Sequence, residues 1–306
     1  MKKSLKGVVL TLAGAMAWGL SGTSSQYLMA TCHIDPVWLT SQRLLGGGIL
    51  LSIIGFYQCP KKMTGILKNK TDRIQLLKFA IFGLLFSQLT YITTISNTNA
   101  GTATVLQYLC PVVIIFYMSL KSKTLPSVIE FCSIALALLG TFLITTHGNI
   151  HELAITPTGL AWGLTSAIAY SLYMLLPEQL VRNWGSISVT GLGLLFGGIV
   201  FYVGSQAWQY HINWTPMLII ALVGGVIISG TVLAYTLFLS GMMLIGPIKS
   251  SLIASTEPIS AVFFSALLLH QVFGLMDILG MASILSAVIL ITLKDRIYWK
   301  KLHKNT

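Results

Sequence analysis

Apolar runs close to 20 residues long recur along this 306-residue chain from Leu5 to Leu293, and no other feature narrows its fold as much. Wound as a helix, a run of about 20 apolar residues crosses the hydrocarbon of a bilayer. Inside lipid every backbone N–H and C=O needs an internal partner, which leaves helices and closed barrels as the spanning structures. Barrel strands would read as short alternating segments, whereas these runs are continuous. Only 9% of the residues are charged, against about 25% in soluble domains. A water-soluble globule is excluded, and the chain reads as an all-α integral membrane protein.

Ten spans are expected, at 5–29, 36–57, 74–97, 101–120, 126–146, 157–177, 186–208, 216–240, 248–270 and 274–293. Met1, Lys2 and Lys3 before an apolar stretch imitate a signal peptide, but no convincing cleavage site follows, so 5–29 reads as a retained span. His270, Gln271 and Gly274 mark a tight hairpin between the last two spans.

The net charge of +11 is distributed by side. Lys2, Lys3 and Lys6, then Lys61, Lys62, Lys68, Lys70, Arg73 and Lys78, then Lys121 and Lys123 fall on alternate connections. Arg182, Lys249 and the tail (Lys294, Arg296, Lys300, Lys301, Lys304) continue the series, while the opposite connections hold no Lys or Arg. Such asymmetry orients membrane proteins with their basic loops inside, which puts both termini in the cytoplasm. The charge thus marks orientation, and nucleic acid is not an expected partner. Cys32, Cys59, Cys110 and Cys132 show neither CxxC nor metal spacing, so neither a disulfide framework nor a metal site is expected. His33, His147, His151, His211 and His270 fall on the outer side or its edge. They read as loop residues, with a pH sensor as the alternative.

The two halves resemble each other. TATVLQYLCPVVIIFYMSL around Pro111 matches SSLIASTEPISAVFFSALL around Pro258, and this register sets Glu130 on Asp277. GVVLTLAGAMAW in the first span matches GLAWGLTSAIAY in the sixth, with Trp18 on Tyr170. Each half, 1–150 and 151–306, then holds five spans. Five is odd, so the second half enters the membrane from the opposite side. Inverted repeats of this kind are a transporter architecture, with the solute site near the midplane between the halves.

On these residues the chain resembles the EamA-type transporters of the drug/metabolite transporter superfamily, over nearly its full length. Four stretches carry the resemblance: AMAWG (Ala15 to Gly19), SQRLLGGGILL around Arg43, NAGTATVLQYLCPVV (Asn99 to Val113), and STEPISAVFFSALLLHQV leading to DILGMASILSAVIL. The family usually carries Gly-Glu before the tenth span. Here His270-Gln271 stands instead, so no role passes to that position. The resemblance implies a bacterial inner-membrane carrier of amino acids, drugs or other metabolites. It also implies a central cavity lined by the first, third, fourth, sixth, eighth and ninth spans.

Few charges lie deep in the runs. Glu257, beside Pro258, is the clearest, and a charge at mid-bilayer costs several kcal/mol, so it is a candidate proton site or counter-charge to a cation. Packing against a neighbouring helix is the alternative. Arg43 reads as an outer anion ligand, a snorkelling side chain or a structural partner of outer carbonyls or acidic residues. Lys249 also lies near a span end. Glu130 and Asp277 sit just inside helix starts, where a carboxylate suits the helix dipole. Polar and aromatic stripes recur at helical spacing: Ser87, Gln88, Tyr91, Thr94 and Thr98; Gln107, Tyr108 and Pro111; Trp162, Ser166, Tyr170 and Tyr173; with Trp18 and Tyr235 on the first and eighth spans. Lipid cannot solvate such groups, so these faces should turn inward. The expected solute-binding set is Trp18, Gln88, Tyr91, Gln107, Tyr108, Tyr170, Tyr173, Tyr235 and Glu257. Aromatic walls suit an apolar or cationic solute. The glycines at 46–48, 193, 197, 224, 225 and 230 read as close helix packing.

The function expected is secondary-active transport of a small solute by alternating access, with H⁺ as the candidate coupling ion and no cofactor. No GxxxxGK[ST] loop is present, which argues against ATP hydrolysis by this chain. The competing class, a membrane-embedded enzyme acting on lipid or peptide, would need a nucleophile–base pair or a metal cluster within the spans, and neither pattern is found. The sequence is silent on oligomeric state.

Overall fold

The computed structural model describes residues 2–123, 125, 127–147, 149, 154–245, 250, 253–254 and 256–302, and they are overwhelmingly helical, with no strand among them. His151, Lys249 and much of the start of the ninth expected span lie outside the described residues. The helices are α1 (Lys2–Ala30), α2 (Pro36–Gln58), α3 (Pro60–Lys68), α4 (Lys70–Asn97), α5 (Ala100–Lys121), α6 (Val128–Thr146), α7 (Pro157–Leu175), α8 (Glu178–Trp184), α9 (Ser186–Gly204), α10 (Pro216–Ile245), α11 (Thr256–Leu269) and α12 (Leu275–Leu302).

Seven of these are long and apolar enough to cross a bilayer: α1 from Leu5, α2, α4, α5, α6, α9 and α10. The pair α7 and α8, bent by 40° at its break, makes an eighth when taken as one span. α11 and the Leu275–Leu290 part of α12 are shorter apolar helices. Many large apolar side chains stay exposed on the outside of the bundle, Phe116, Phe131, Leu138 and Ile220 among them. That is the surface a lipid solvent requires. The protein is a multi-pass membrane protein.

Local chemistry sets the helix ends. Asp35 accepts from Val37 N at 2.7 Å to start α2, and Asn99 accepts from Thr102 N at 2.8 Å to start α5. Ser127 and Glu130 form a reciprocal capping box on α6, which satisfies two otherwise orphaned donors. Asp277 accepts from Gly274 N at 2.9 Å and pairs with His147 Nε2 at 2.9 Å. The structural reading of both carboxylates therefore fits the geometry. His33, His147 and His270 adopt positive φ at helix ends. Tyr210 docks beside Asp35. Loss of solvent there, and then the neighbouring carboxylate, push its phenol above the usual range.

The basic connection 58–73 is itself helical: it holds α3 and the start of α4, with Met63 and Ile66 fully buried while the lysines around them face out. One expected boundary needs correction. The seventh span ends at Gly204 rather than 208, where Gln206 turns with φ 52°.

Packing runs chiefly between the halves: α2 on α9, α6 on α12, α4 on α7, and α1 on α10 and α11. Glycine permits the tightest approaches. A Cβ at Gly198 would lie 2.7 Å from Leu45 N, and one at Gly280 would lie 2.7 Å from Gly140 O. Gly224 is an exception to the packing expectation. Nothing lies within 4 Å of a Cβ there, since the π-helical stretch Ile220–Leu233 turns that position towards open space. A second π-helical stretch, Phe79–Leu85, lies inside α4.

Candidate functional site

Near its middle, α5 breaks. Tyr108 and Leu109 leave helical geometry between Gln107 and Cys110, and Pro111 can donate no backbone hydrogen bond. At the break the Cys110 carbonyl accepts from Ser171 Oγ on α7 at 3.2 Å. The break turns the Tyr108 ring towards α7 and α11. Its Oη lies 3.0 Å from Glu257 Oε2 and 2.9 Å from the Ala254 carbonyl.

A hydroxyl carries a single proton, and here it has two acceptors. When Glu257 is ionised, the Tyr108 proton serves the carboxylate. When Glu257 is protonated, its own O–H can donate to Tyr108 Oη, and the phenolic proton passes to Ala254 O. Both protonation states are satisfied without moving a heavy atom. That property suits a proton site, since a buried polar group costs free energy whenever it loses its partner.

Below this pair opens a cavity of about 550 Å³. Its walls are Trp18 of α1, Tyr108, Cys110 and Pro111 of α5, Tyr170, Tyr173 and Met174 of α7, and Tyr235, Phe238, Leu239 and Met242 of α10, with Ala254 and Val288. The aromatic rings hold one another in place. Trp18 meets Tyr235 edge-on at 5.2 Å and Phe238 at 5.0 Å, Tyr170 stacks on Tyr173 at 5.3 Å, and Tyr173 stacks on Phe79 at 5.8 Å.

Of the nine residues expected from sequence, Trp18, Tyr108, Tyr170, Tyr173 and Tyr235 line the cavity, and Glu257 is bonded to its wall. The other three stand elsewhere. Gln107 donates to Ser166 Oγ at 2.9 Å, and Tyr91 shares a 2.8 Å bond with Thr104 Oγ1, so both tie helices together. Gln88 Oε1 is buried with no partner among the described residues. The third span thus does not line this cavity, while the tenth contributes Val288. Trp162 is 37% exposed and faces outward, contrary to the inward turn expected for its stripe.

Arg43 is not an outer, snorkelling residue. It is 6% exposed, and its charge is felt at Tyr91, Tyr235 and Glu257. Its Nη1 has no partner among the described residues. No ion pair joins it to Glu257 within 4 Å, so the two charges offset each other across the core rather than in contact.

Towards the Ala30 end of α1, several helices are tied together by a residue that sequence reading missed. Gln26 of α1, 8% exposed, accepts from Ala100 N at 2.9 Å and from Ser265 Oγ at 3.4 Å, and donates to Gln271 Oε1 at 3.3 Å. Thr23 Oγ1 meets Ser265 Oγ at 3.2 Å one turn deeper. An amide at the end of an apolar run was the available signal. Gln271, where a glutamate was expected by resemblance, is a member of this clasp.

Comparison with known proteins places the chain. The EamA-like transporter family matches twice, over residues 5–146 and 157–293. An uncharacterized inner membrane transporter of Salmonella typhimurium, YicL, is 39% identical over 296 residues, covering 97% of this chain and 98% of its own. The uncharacterized transporter YcbK of Bacillus subtilis is 22% identical over 218 residues, 70% of each chain. A solved structure superposes with a TM-score of 0.63 at 14% identity over 95% of this chain and 98% of its own, a likeness of fold alone. With both halves matched and a relative aligned end to end, the chain belongs to the EamA-like transporter family.

Proposed function

We propose that this protein is a secondary-active carrier that moves a small metabolite, amino acid or drug across the bacterial plasma membrane by alternating access, with H⁺ as the coupled ion. The observation that carries this reading is the cavity itself. An aromatic-walled space of about 550 Å³ lies between helices of both halves, next to a buried carboxylate. Ligand sites bury a small molecule against mainly apolar and aromatic walls with a few placed polar groups.

Ten spans in two inverted five-helix repeats, 1–150 and 151–306, with both termini cytoplasmic, complete the proposal. The seven long helices, the bent pair and the two shorter apolar helices together make ten. The double family match, the packing of each half on the other and the one-sided Lys and Arg all support this count. The solute rests against Trp18, Tyr108, Tyr170, Tyr173 and Tyr235. Glu257 takes up and releases the proton while Tyr108 changes acceptor. Arg43 offsets the carboxylate when no cation does. The Gln26 clasp holds the outer end closed, so the state described here is sealed to the outside.

The test is transport in proteoliposomes with an imposed pH gradient, after a thermal-shift screen of amino acids, nucleosides, quaternary amines and cationic drugs has found a stabilising solute. Glu257→Gln is expected to abolish acceleration by the gradient while the protein stays folded, and Tyr108→Phe to slow it about tenfold or more. Gradient-dependent transport that survives in Glu257→Gln would reject Glu257 as the proton site.

A further inference from the structure

A second, separate crevice lies at the basic end of the bundle, on the far side of α7 from the aromatic cavity. It measures about 530 Å³ and is walled by α4 on one side and by the end of α7 with α8 on the other. Two cations face it, Lys78 and Arg182, and three amides accompany them, Gln75, Gln179 and Asn183. The Lys78 side chain makes no ion pair among the described residues. Arg182 spends one Nη2 donor on Glu178 Oε1 at 3.0 Å, which leaves most of its five N–H donors free.

The depth of this crevice says what kind of ligand reaches it. On α4, Lys78 is the last polar residue before the apolar stretch Phe79–Leu85, and on α7 the apolar run ends at Leu176, just before Pro177. Both walls therefore change from polar to apolar at one level. Leu77, Leu175 and Leu176 are each exposed by 37–41%, and Phe82, one turn further along α4, is 57% exposed. A ligand seated here has its polar end at Lys78 and Arg182 and an apolar tail running along α4 and α7. The nearby acid Asp72 is already engaged, accepting from Trp184 Nε1 at 3.0 Å. Lys61, Lys62, Lys68, Lys70 and Arg73 add positive charge on the connection that leads into α4.

We infer that this crevice is a binding site for an anionic glycerophospholipid, with its phosphodiester at Lys78 and Arg182 and its headgroup hydroxyls at Glu178 and the amides. Basic pockets between spanning helices on the cytoplasmic side recognise anionic headgroups, and Arg matches phosphate geometry with paired donors. The site sits on the 40° break between α7 and α8, so a bound lipid braces the point where α7, which carries Tyr170 and Tyr173, leaves the membrane. The inference needs the protein to lie in a bilayer and does not depend on its transport mechanism.

The experiment is native mass spectrometry of the full-length protein titrated with phosphatidylglycerol, phosphatidylethanolamine and phosphatidylcholine of matched acyl chains. Wild type should favour phosphatidylglycerol, and Lys78→Ala with Arg182→Ala should lose about 5-fold in affinity per charge removed. Lys61→Ala with Lys62→Ala removes the same charge outside the crevice and should keep most of the preference, losing less than the crevice pair. Lys78→Arg should keep it too, which guards against a folding artefact. Equal affinity for the three lipids, or equal loss in the two double variants, would overturn the site. So would displacement of the lipid by equimolar inorganic phosphate, which would make the crevice a soluble-anion site.

Discussion

The seams between α2 and α9 and between α6 and α12 are built differently from the middle of the bundle. At the seams, glycine lets backbones touch: Gly198 faces Leu45, and Gly140 faces Gly280. In the middle, α7 and α10 face each other across the cavity through aromatic rings, and side-chain hydrogen bonds through Gln26, Gln107 and Tyr108 join α1, α5, α7 and α11. Even there, α1 itself meets α10 and α11 closely at Gly14, Gly19 and Gly241. Backbone contact between helices is unforgiving, because neither side can repack. Side-chain bonds between polar residues can be exchanged one for another. The seams are thus the unyielding contacts, and the side-chain bonds around the cavity are the exchangeable ones.

The largest effect should come from breaking a seam. Gly198→Val drives a branched side chain into the Leu44–Leu45 backbone. Overpacking costs about 1–3 kcal/mol where side chains can yield, and more is expected here, read as a collapse in folded yield by fluorescence size-exclusion chromatography. A variant with normal yield and melting temperature would remove the distinction between unyielding and exchangeable contacts.

A smaller effect is expected at the outer clasp. Gln26→Leu strips the Ala100 N–H and Ser265 of their acceptor, at a cost of about 1–3 kcal/mol for an unsatisfied buried group. It should also raise the accessibility of Thr23→Cys to a membrane-impermeant thiol reagent added from outside. Lower melting temperature without that gain would make Gln26 mere packing. The smallest effect belongs to the rim of a seam, where His147→Ala removes a half-exposed ion pair with Asp277. About 0–1 kcal/mol is expected, measured as a shift of the thermal melt that high salt reproduces in wild type.

Much of this fold was legible because lipid enforces a simple rule on run length. The expected spans at 36–57 and 126–146 coincide within two residues with α2 and α6. The aromatic wall was legible through helical spacing, which put Tyr170 and Tyr173 on one face of α7. On α4 spacing put Ser87, Tyr91 and Thr94 on one face, and that face is buried. It could not say which neighbour the face meets, and Tyr91 bonds Thr104 of α5 rather than lining the cavity. For Arg43, sequence position gave the distance from the span end but left snorkelling open, and burial removes that alternative. Phe238 and Met242, which complete the wall, carried no polar signal to distinguish them from lipid-facing neighbours.

Cys110 has a practical consequence. It belongs to the cavity wall yet shows only 1% of its surface, while Cys132 on α6 is exposed. The chain thus carries a native chemical clock together with its own reference. Alkylation of Cys110 by a small neutral maleimide, timed against Cys132, would report whether the cavity wall becomes accessible, and under the transport proposal a bound solute should slow that clock without any engineered residue.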